Sequence, residues 1–418
     1  MWLLYNLLLT LTAPFWVPWV LWRAHKRGEK PNWKERQGDY RESIPKKGDR
    51  PRLWVHTVSV GEFMASKPLL RELRAKLPQY EIVLSVTTSS GHQTARESEP
   101  GLYDYLVYLP IDVPRFTLAA MQRVRPDALI VLETELWMNL FWAAKTFDAK
   151  TFVVNARLSD RSFPKASKLR FFYSALLSMV DAVLAQTKSD AERFRALGAR
   201  SVETTGNLKF DQAVDGVRND TDWKTELNLD DRPVVVVGSL RAEEFAEVGQ
   251  AIAGERSVHW IVAPRHLERT PELILELSKA STASIGRRSE GTHGDITVLD
   301  TYGELPKVYA VADVAIIGGS FAKVGMQNLI QPFAHGKPVL HGPYTQNFRD
   351  VADLGQRAGA SIVCHDGGEA IRQLKLLIAD PQKRDQMGQA ARRLVEENIG
   401  ASERMASIIA REVGSKRG

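Results

Sequence analysis

Between residues 51 and 363 the chain returns again and again to short apolar runs separated by longer amphipathic stretches. That rhythm belongs to parallel strands covered by helices on both faces, which read as nearly continuous apolar runs rather than as alternating ones. Runs at 53–58, 81–87, 128–132 and 151–155 predict strands, with helices over 63–75, 116–124 and 165–179 between them. A strand at 183–186, a helix at 190–197 and a strand at 202–206 follow. The fold class is therefore α/β, doubly wound.

A polar stretch over 211–231 precedes a second series that opens with an apolar run at 234–238. Strands are expected at 259–263, 297–300, 314–317, 338–340 and 361–363, with helices at 243–253, 271–279 and 327–334. At 418 residues the chain exceeds one ordinary core. The pattern predicts two Rossmann-like domains facing across a cleft, with residues 31–211 in the first and 212–418 in the second. A helix at 401–413 could pack back across the junction, and the sequence leaves that open. The single cysteine, Cys364, excludes an intramolecular disulfide and a cysteine-based zinc cluster.

Residues 1–22 contain no charged side chain and would reach roughly 33 Å as a helix, enough to cross a bilayer core. Arg23, His25, Lys26, Arg27 and Lys30 follow at once, so residues 1–30 read as a membrane anchor with a basic flank. The positive-inside tendency places that flank and the remaining chain in the cytoplasm and the N-terminus outside. Pro14 and Pro18 should kink or break the helix, which keeps a shallow or re-entrant anchor open. A cleaved signal fits poorly, because no basic segment precedes the apolar run and no small-x-small site follows it. The net charge of +6 suits an acidic lipid surface or a phosphorylated substrate, and no zinc-finger spacing, RNA-binding aromatic signature or long basic helix points to nucleic acid.

Several constellations sit where strands end, the edge at which ligands gather in such folds. Ser59, Gly61 and Glu62 follow the first strand; the spacing suits a helix capping box or a carboxylate facing the cleft. Glu133 and Glu135 follow the third predicted strand and could bind a metal, share one face, or begin a helix. Lys209, in Gly206-Asn207-Leu208-Lys209, lies beside the junction, as a substrate contact or a solvated charge. In the second half, Gly318-Gly319-Ser320-Phe321 and Gly325-Met326-Gln327-Asn328 form a glycine-rich turn whose amides, at a helix start, would hold a phosphate. Arg265, after another strand, would aim a guanidinium at the same crevice or form a surface ion pair. Asp220-Thr221-Asp222 has the Asp-x-Asp form of a metal-holding motif, but no strand feeds it and it reads as linker.

Taken in order, Trp33-x-Glu35-Arg36-x-Gly38, His56-x-x-Ser59-Val60-Gly61-Glu62, Glu133-Thr134-Glu135-Leu136-Trp137 and Asn155-Ala156-Arg157-Leu158-Ser159 resemble the 3-deoxy-D-manno-octulosonic acid (Kdo) transferase family. Gly206-Asn207-Leu208-Lys209-Phe210-Asp211, Ala263-Pro264-Arg265-His266, Asp300-Thr301-Tyr302-Gly303-Glu304-Leu305, Gly318-Gly319-Ser320-Phe321 and Gly336-Lys337-Pro338-Val339 carry the likeness to nearly the whole chain. The resemblance implies a glycosyltransferase-B fold and an inner-membrane enzyme whose body faces the cytoplasm. It implies transfer of Kdo from CMP-Kdo to the glucosamine 6'-hydroxyl of a lipid A precursor (lipid IVA), with inversion and without a metal or other cofactor. By the same resemblance Glu62 is the general base, and Ser59, Gly61, Glu133 and Glu135 lie on the acceptor side. Arg265, Lys209, Gly319, Ser320, Phe321, Gly325, Asn328 and Gln331 lie on the donor side. The chain departs from the family at Gln331, where a carboxylate is usual for the nucleotide ribose, and at Gly238-Ser239-Leu240-Arg241.

Two other classes share these features. A nucleotide-sugar epimerase or hydrolase can use the same pair of domains on a soluble substrate, for which residues 1–22 would be superfluous. A non-catalytic membrane scaffold would keep the fold and not depend on Glu62. A transferase of this fold using a different sugar nucleotide is the nearer variant, because Gln331 bears on the donor alone.

Overall fold

The computed structural model describes residues 1–26, 32–217, 221–253 and 255–414. The chain forms two compact units, Met1–Gln212 with Ile399–Gly418, and Ala213–Asn398.

The first unit is built on seven strands: β1 (Arg52–Thr57), β2 (Glu81–Val86), β3 (Tyr105–Tyr108), β4 (Ala128–Leu132), β5 (Lys150–Ala156), β6 (Ala182–Ala185) and β7 (Val202–Thr204). All ladders are parallel, in the order β3-β2-β1-β4-β5-β6-β7. A parallel pair cannot be joined by a tight hairpin, so the chain returns through crossover connections, mostly helical, on the faces of the sheet. Neighbouring residues of each strand therefore enter different cores. Trp54, Val83, Leu129 and Val153 join Phe141 and Leu177 in one cluster, while Leu53, Leu84, Ile130 and Phe152 join Phe63 and Leu70 in the other. The strand order reverses between β1 and β4, and the carboxyl ends at such a switch bound the natural ligand crevice.

The second unit repeats the plan with β8 (Val234–Leu240), β9 (His259–Pro264), β10 (Ile285–Arg287), β11 (Ile296–Val298), β12 (Val314–Ile317), β13 (Val339–His341) and β14 (Ser361–Val363). Its order is β10-β11-β9-β8-β12-β13-β14, all parallel, with the switch between β8 and β12.

The structure corrects the expected elements in several places. The domain assignment 212–418 is too long, because the C-terminal helix Ala401–Gly414 buries Met405, Ala406, Ile409 and Val413 in the first unit, with Phe63 and Leu70. Asp211 ties the helix down: its carboxylate, itself buried, accepts hydrogen bonds from the Gly400 and Ser402 amides and the Ser402 hydroxyl, each at 2.6 Å. The helix expected over 165–179 divides at Leu169 into Phe163–Lys168 and Arg170–Leu177, because Leu169 leaves helical geometry at φ −107° and ψ 28°. The helix expected over 327–334 is only Ile330–Ala334. Two short edge strands, β3 and β10, escape the sequence pattern.

The N-terminal helix runs from Trp2 to Lys26 with Pro14 and Pro18 inside it, so neither proline breaks it. Arg27 and Lys30 lie outside the described residues. The start of this helix is not detached from the first unit: the rings of Trp2 and Trp142 lie 4.5 Å apart, and Tyr5 donates to Asp112 at 2.8 Å. Apolar stacking and a buried polar partner hold the first turns of this helix on the first unit.

Replacing Asp211 by Ala would leave three donors without their acceptor. The expected cost is about 2–4 kcal/mol of stability, read by denaturant unfolding, with faster proteolysis ahead of the C-terminal helix.

Candidate functional site

At the switch of the first sheet, β1 runs through Val58 into the helix Val60–Lys76, whose N-cap is Ser59. Glu62 sits in the first turn. Its carboxylate accepts from the Val58 amide at 2.8 Å, and the Ser59 hydroxyl lies 3.4 Å from both the Glu62 amide and its other carboxylate oxygen. The capping box and a carboxylate at the ligand edge of the sheet are thus the same geometry, since the cap holds the acid at the strand's carboxyl end. At Gly61 the nearest atom to an added Cβ would be 3.9 Å away, so packing does not demand glycine there.

Glu133 begins the loop after β4. It adopts φ +56°, a region non-glycine residues rarely enter and one that marks strained, often functional, positions. The following helix starts only at Met138, so Glu133 and Glu135 are not the acidic start of a helix. Glu135 accepts from the Trp137 indole at 3.0 Å. Burial drives the Glu62 carboxyl up to about 7; the Val58 amide opposes the rise, and the negative charges of Glu133 and Glu135 add to it. Burial, aided by Glu133, also raises Glu135. Among the described residues no group of three or more His, Cys, Asp or Glu has the arrangement to hold a metal ion. His56 is fully buried and pushed down to about 3 by burial, so it stays neutral at physiological pH.

Further along the same edge a relay of amides positions Lys209. The Gln186 side chain donates to the Asn155 carbonyl, and Asn207 donates to Gln186, both at 3.0 Å. Asn155 Oδ1 accepts from the Leu208 amide at 3.1 Å, and Asn207 Oδ1 accepts from the Lys209 amide at 3.0 Å. Lys209 therefore stands in the first turn of the helix Leu208–Val217.

In the second unit the glycine-rich turn follows β12 but does not lead directly into a helix, and its amides are already engaged. The carboxylate of Glu244, buried at 1% exposure, accepts from Gly319 at 2.7 Å, from Phe321 at 2.8 Å and from Arg241 at 3.0 Å. This corrects the expected phosphate-holding role of the Gly319 and Phe321 amides. Ser320 is buried as well; its hydroxyl accepts from the Gly342 amide at 2.8 Å. Glycine is required at Gly318, where a Cβ would come within 2.5 Å of the Leu240 backbone. Ser239, in the stretch that departs from the family pattern, takes φ +57°, where the β8–β9 register shifts.

Arg265, just past β9, has an exposed side chain with no ion-pair partner among the described residues. Asn328 accepts from the Ile330 amide at 2.9 Å, just before the short helix that carries the half-buried Gln331. Gly325 takes φ +96°. Asp222 caps the helix Trp223–Glu226, consistent with a linker role; Asp220 lies outside the described residues.

Residues 31–212 match the family model for 3-deoxy-D-manno-octulosonic-acid transferase (kdotransferase). A 3-deoxy-D-manno-octulosonic acid transferase of Bordetella pertussis is 36% identical over 375 residues, 84% of this chain and 85% of the relative. The chain belongs to the Kdo transferase family. Another Kdo transferase, from Chlamydophila psittaci, is 30% identical over 81% of this chain and 79% of its own length. Among solved structures, UDP-GlcNAc 2-epimerase from Neisseria meningitidis superposes with a TM-score of 0.61 at 14% identity, covering 86% of this chain and all of that one. A glycosyltransferase from Rickettsia africae gives 0.59 at 10% identity, over 88% and 99% of the two chains. At such identities the likeness is one of fold, the glycosyltransferase-B fold that this Kdo transferase shares with epimerases.

In this family member the structure brings Ser59, Gly61, Glu62, Glu133 and Glu135 to one switch, and places Lys209 on the same edge. Arg265, Gly319, Ser320, Phe321, Gly325, Asn328 and Gln331 belong to the other unit. The sequence reading missed Glu244. Its signal was present: Arg241-x-x-Glu244 directly after a strand repeats the cap spacing of Ser59-x-x-Glu62.

Two outcomes follow from these carboxylates. In the folded chain Glu62 keeps its proton to about pH 7, whereas unfolded glutamate ionises near its ordinary value of 4.5, so the wild type loses stability as pH rises through that window. Glu62→Gln should therefore raise the thermal midpoint relative to wild type at pH 8 and change it far less at pH 4. Glu244→Ala should cost at least about 2 kcal/mol by stranding three buried amides, measured by denaturant unfolding.

Proposed function

We propose that this Kdo transferase moves Kdo from CMP-Kdo to the glucosamine 6'-hydroxyl of a lipid A precursor, lipid IVA, with inversion at the anomeric carbon. The observation that carries this reading is Glu62, a partly desolvated carboxyl at the switch of the first sheet, poised near neutrality at about 7. A general base works best when its pKa lies near the operating pH.

As the acceptor oxygen bonds to the anomeric carbon, Glu62 takes the hydroxyl proton. The bond from that carbon to the CMP phosphate oxygen breaks, and CMP departs as a phosphate monoester. Positive charge developing on the sugar is shared with its ring oxygen. Arg265, with its exposed guanidinium, and Lys209 are the cations assigned to the leaving phosphate, so the chemistry needs no metal ion. Asn328 and Gln331 are assigned to the nucleotide, with Gln331 accepting from the ribose without charge assistance. Glu133 and Glu135 lie on the acceptor side, where they hold Glu62 partly protonated and can accept from sugar hydroxyls. The N-terminal helix attaches the enzyme to the bacterial inner membrane, with its catalytic body on the cytosolic side. The phosphates of the acceptor meet a chain of net charge +6, so acceptor KM should rise with salt.

The test is transfer from CMP-Kdo to a tetraacylated lipid A precursor in detergent, with chelator present. Chelator-resistant transfer is expected, with a pH–rate limb rising near 7 and a loss of roughly 10²–10⁴-fold in kcat for Glu62→Gln. Glu133→Gln should move that limb to lower pH, because it removes a charge that opposes ionisation. Transfer by Glu62→Gln at the wild-type rate would remove Glu62 from the mechanism, and turnover of a soluble sugar nucleotide without lipid would favour an epimerase.

A further inference from the structure

The path of the N-terminal helix can be read from what its first turns touch and from where the chain beyond it rejoins the body. At the start, Asn6 and Asn139 exchange side-chain hydrogen bonds in both directions, each at 2.9 Å, and Tyr5 donates to Asp112 at 2.8 Å. Asp112 and Asn139 are both buried in the first unit; Asp112 also accepts from the Leu140 amide at 2.9 Å, and Asn139 donates to the Asp112 carbonyl at 2.7 Å. The Tyr5 ring lies 5.8 Å from Phe172.

Beyond the other end, the chain re-enters the same unit at Asn32, which caps the turn Trp33–Arg36. The buried Glu35 accepts from the Tyr108 amide at 2.8 Å. The Arg36 carbonyl accepts from the Ile111 amide at 2.8 Å. Residue 36 is thus bonded to residue 111 and residue 5 to residue 112. A hydrocarbon core about 30 Å thick cannot lie between two neighbours in one loop.

We propose that the N-terminal helix is a monotopic anchor, docked on the first unit by its first turns alone, with the chain beyond it folded back to the same unit and the helix lying within one leaflet, so that both of its ends are on the catalytic body's side of the membrane. This rests on the reading of the helix as a membrane anchor and replaces the outward N-terminus expected from its charge pattern. No residue of the apolar window is buried by the protein, and the stripe Leu3, Leu7, Leu11 and Phe15, with Trp19 and Trp22 further along, is more than half exposed. Leu169 and Phe171, also half exposed or more, flank in sequence the segment whose Phe172 meets Tyr5. Exposed Lys165 and Lys168 border these two, placing cations at headgroup level beside apolar tips. The break of the helix at Leu169 presents this second contact.

The full-length enzyme tests the proposal. Cys364, the one native cysteine, is buried, so introduced thiols report alone. In isolated membranes, mild oxidation of a doubly substituted Asn6→Cys, Asn139→Cys protein should give an intrachain disulfide. Asn6→Cys alone should resist an impermeant maleimide applied to intact spheroplasts. Flotation on vesicles of phosphatidylethanolamine with phosphatidylglycerol should fall about tenfold or more for the protein carrying Leu169→Asp with Phe171→Asp, while that protein keeps the wild-type thermal midpoint in detergent.

Labelling of Asn6→Cys from outside, in a protein that floats, would overturn the fold-back and leave the anchor reading standing. A wild type that fails to float would overturn the anchor reading itself. A crosslink between chains rather than within one would show that a second copy, not lipid, covers the stripe.

Discussion

A parallel strand pair cannot be closed by a hairpin, and nearly everything in this molecule follows from that constraint. Each strand must return across a face of the sheet, which buries both faces and leaves all carboxyl ends at one edge. Trp54 and Leu53, neighbours in β1, therefore serve opposite cores, and the loops that follow the strands need not bury apolar side chains. Those loops are where Glu62, Glu133 and Glu135 meet, on the two sides of the β1–β4 switch.

The same edge in the two units carries a carboxylate treated in opposite ways. Glu244 is fully enclosed and receives three backbone amides, which pin the glycine turn to the end of β8. Glu62 receives one amide, stays partly open, and faces two further acids, so its proton is held to near neutrality. A carboxylate supplied with donors is held ionised as a structural strut, whereas one with few donors and crowded by like charge keeps its proton to higher pH. The difference lies in the neighbours and not in the local sequence, since both acids stand three residues past a capping position.

Much of the architecture was legible because burial on two faces writes itself as uninterrupted apolar runs. β4, β12 and β14 fall where the pattern places them. The edge strands β3 and β10 were not legible: β3 is only partly buried and β10 is three residues long, so neither keeps a full apolar run. Leu169 interrupts a stretch whose helical periodicity continues on both sides, because the break serves a surface and not a core. Of the site, Glu62 and its capping serine could be read from spacing alone, but the occupation of the Gly319 and Phe321 amides could not, because Glu244 reaches them from a distant part of the chain.

By itself the sequence determined the two doubly wound sheets, the apolar N-terminal helix and the family, since these depend on local periodicity and on ordered short motifs. Tertiary structure alone decided which sheet the last helix completes. Asp211 and the residues it holds near Ser402 are far apart in sequence and meet only on folding. Tertiary structure also decided where the first helix starts relative to the body. Hydropathy records that the segment is apolar, but only partners such as Asp112 and Asn139, distant in the chain, decide where its first turns dock.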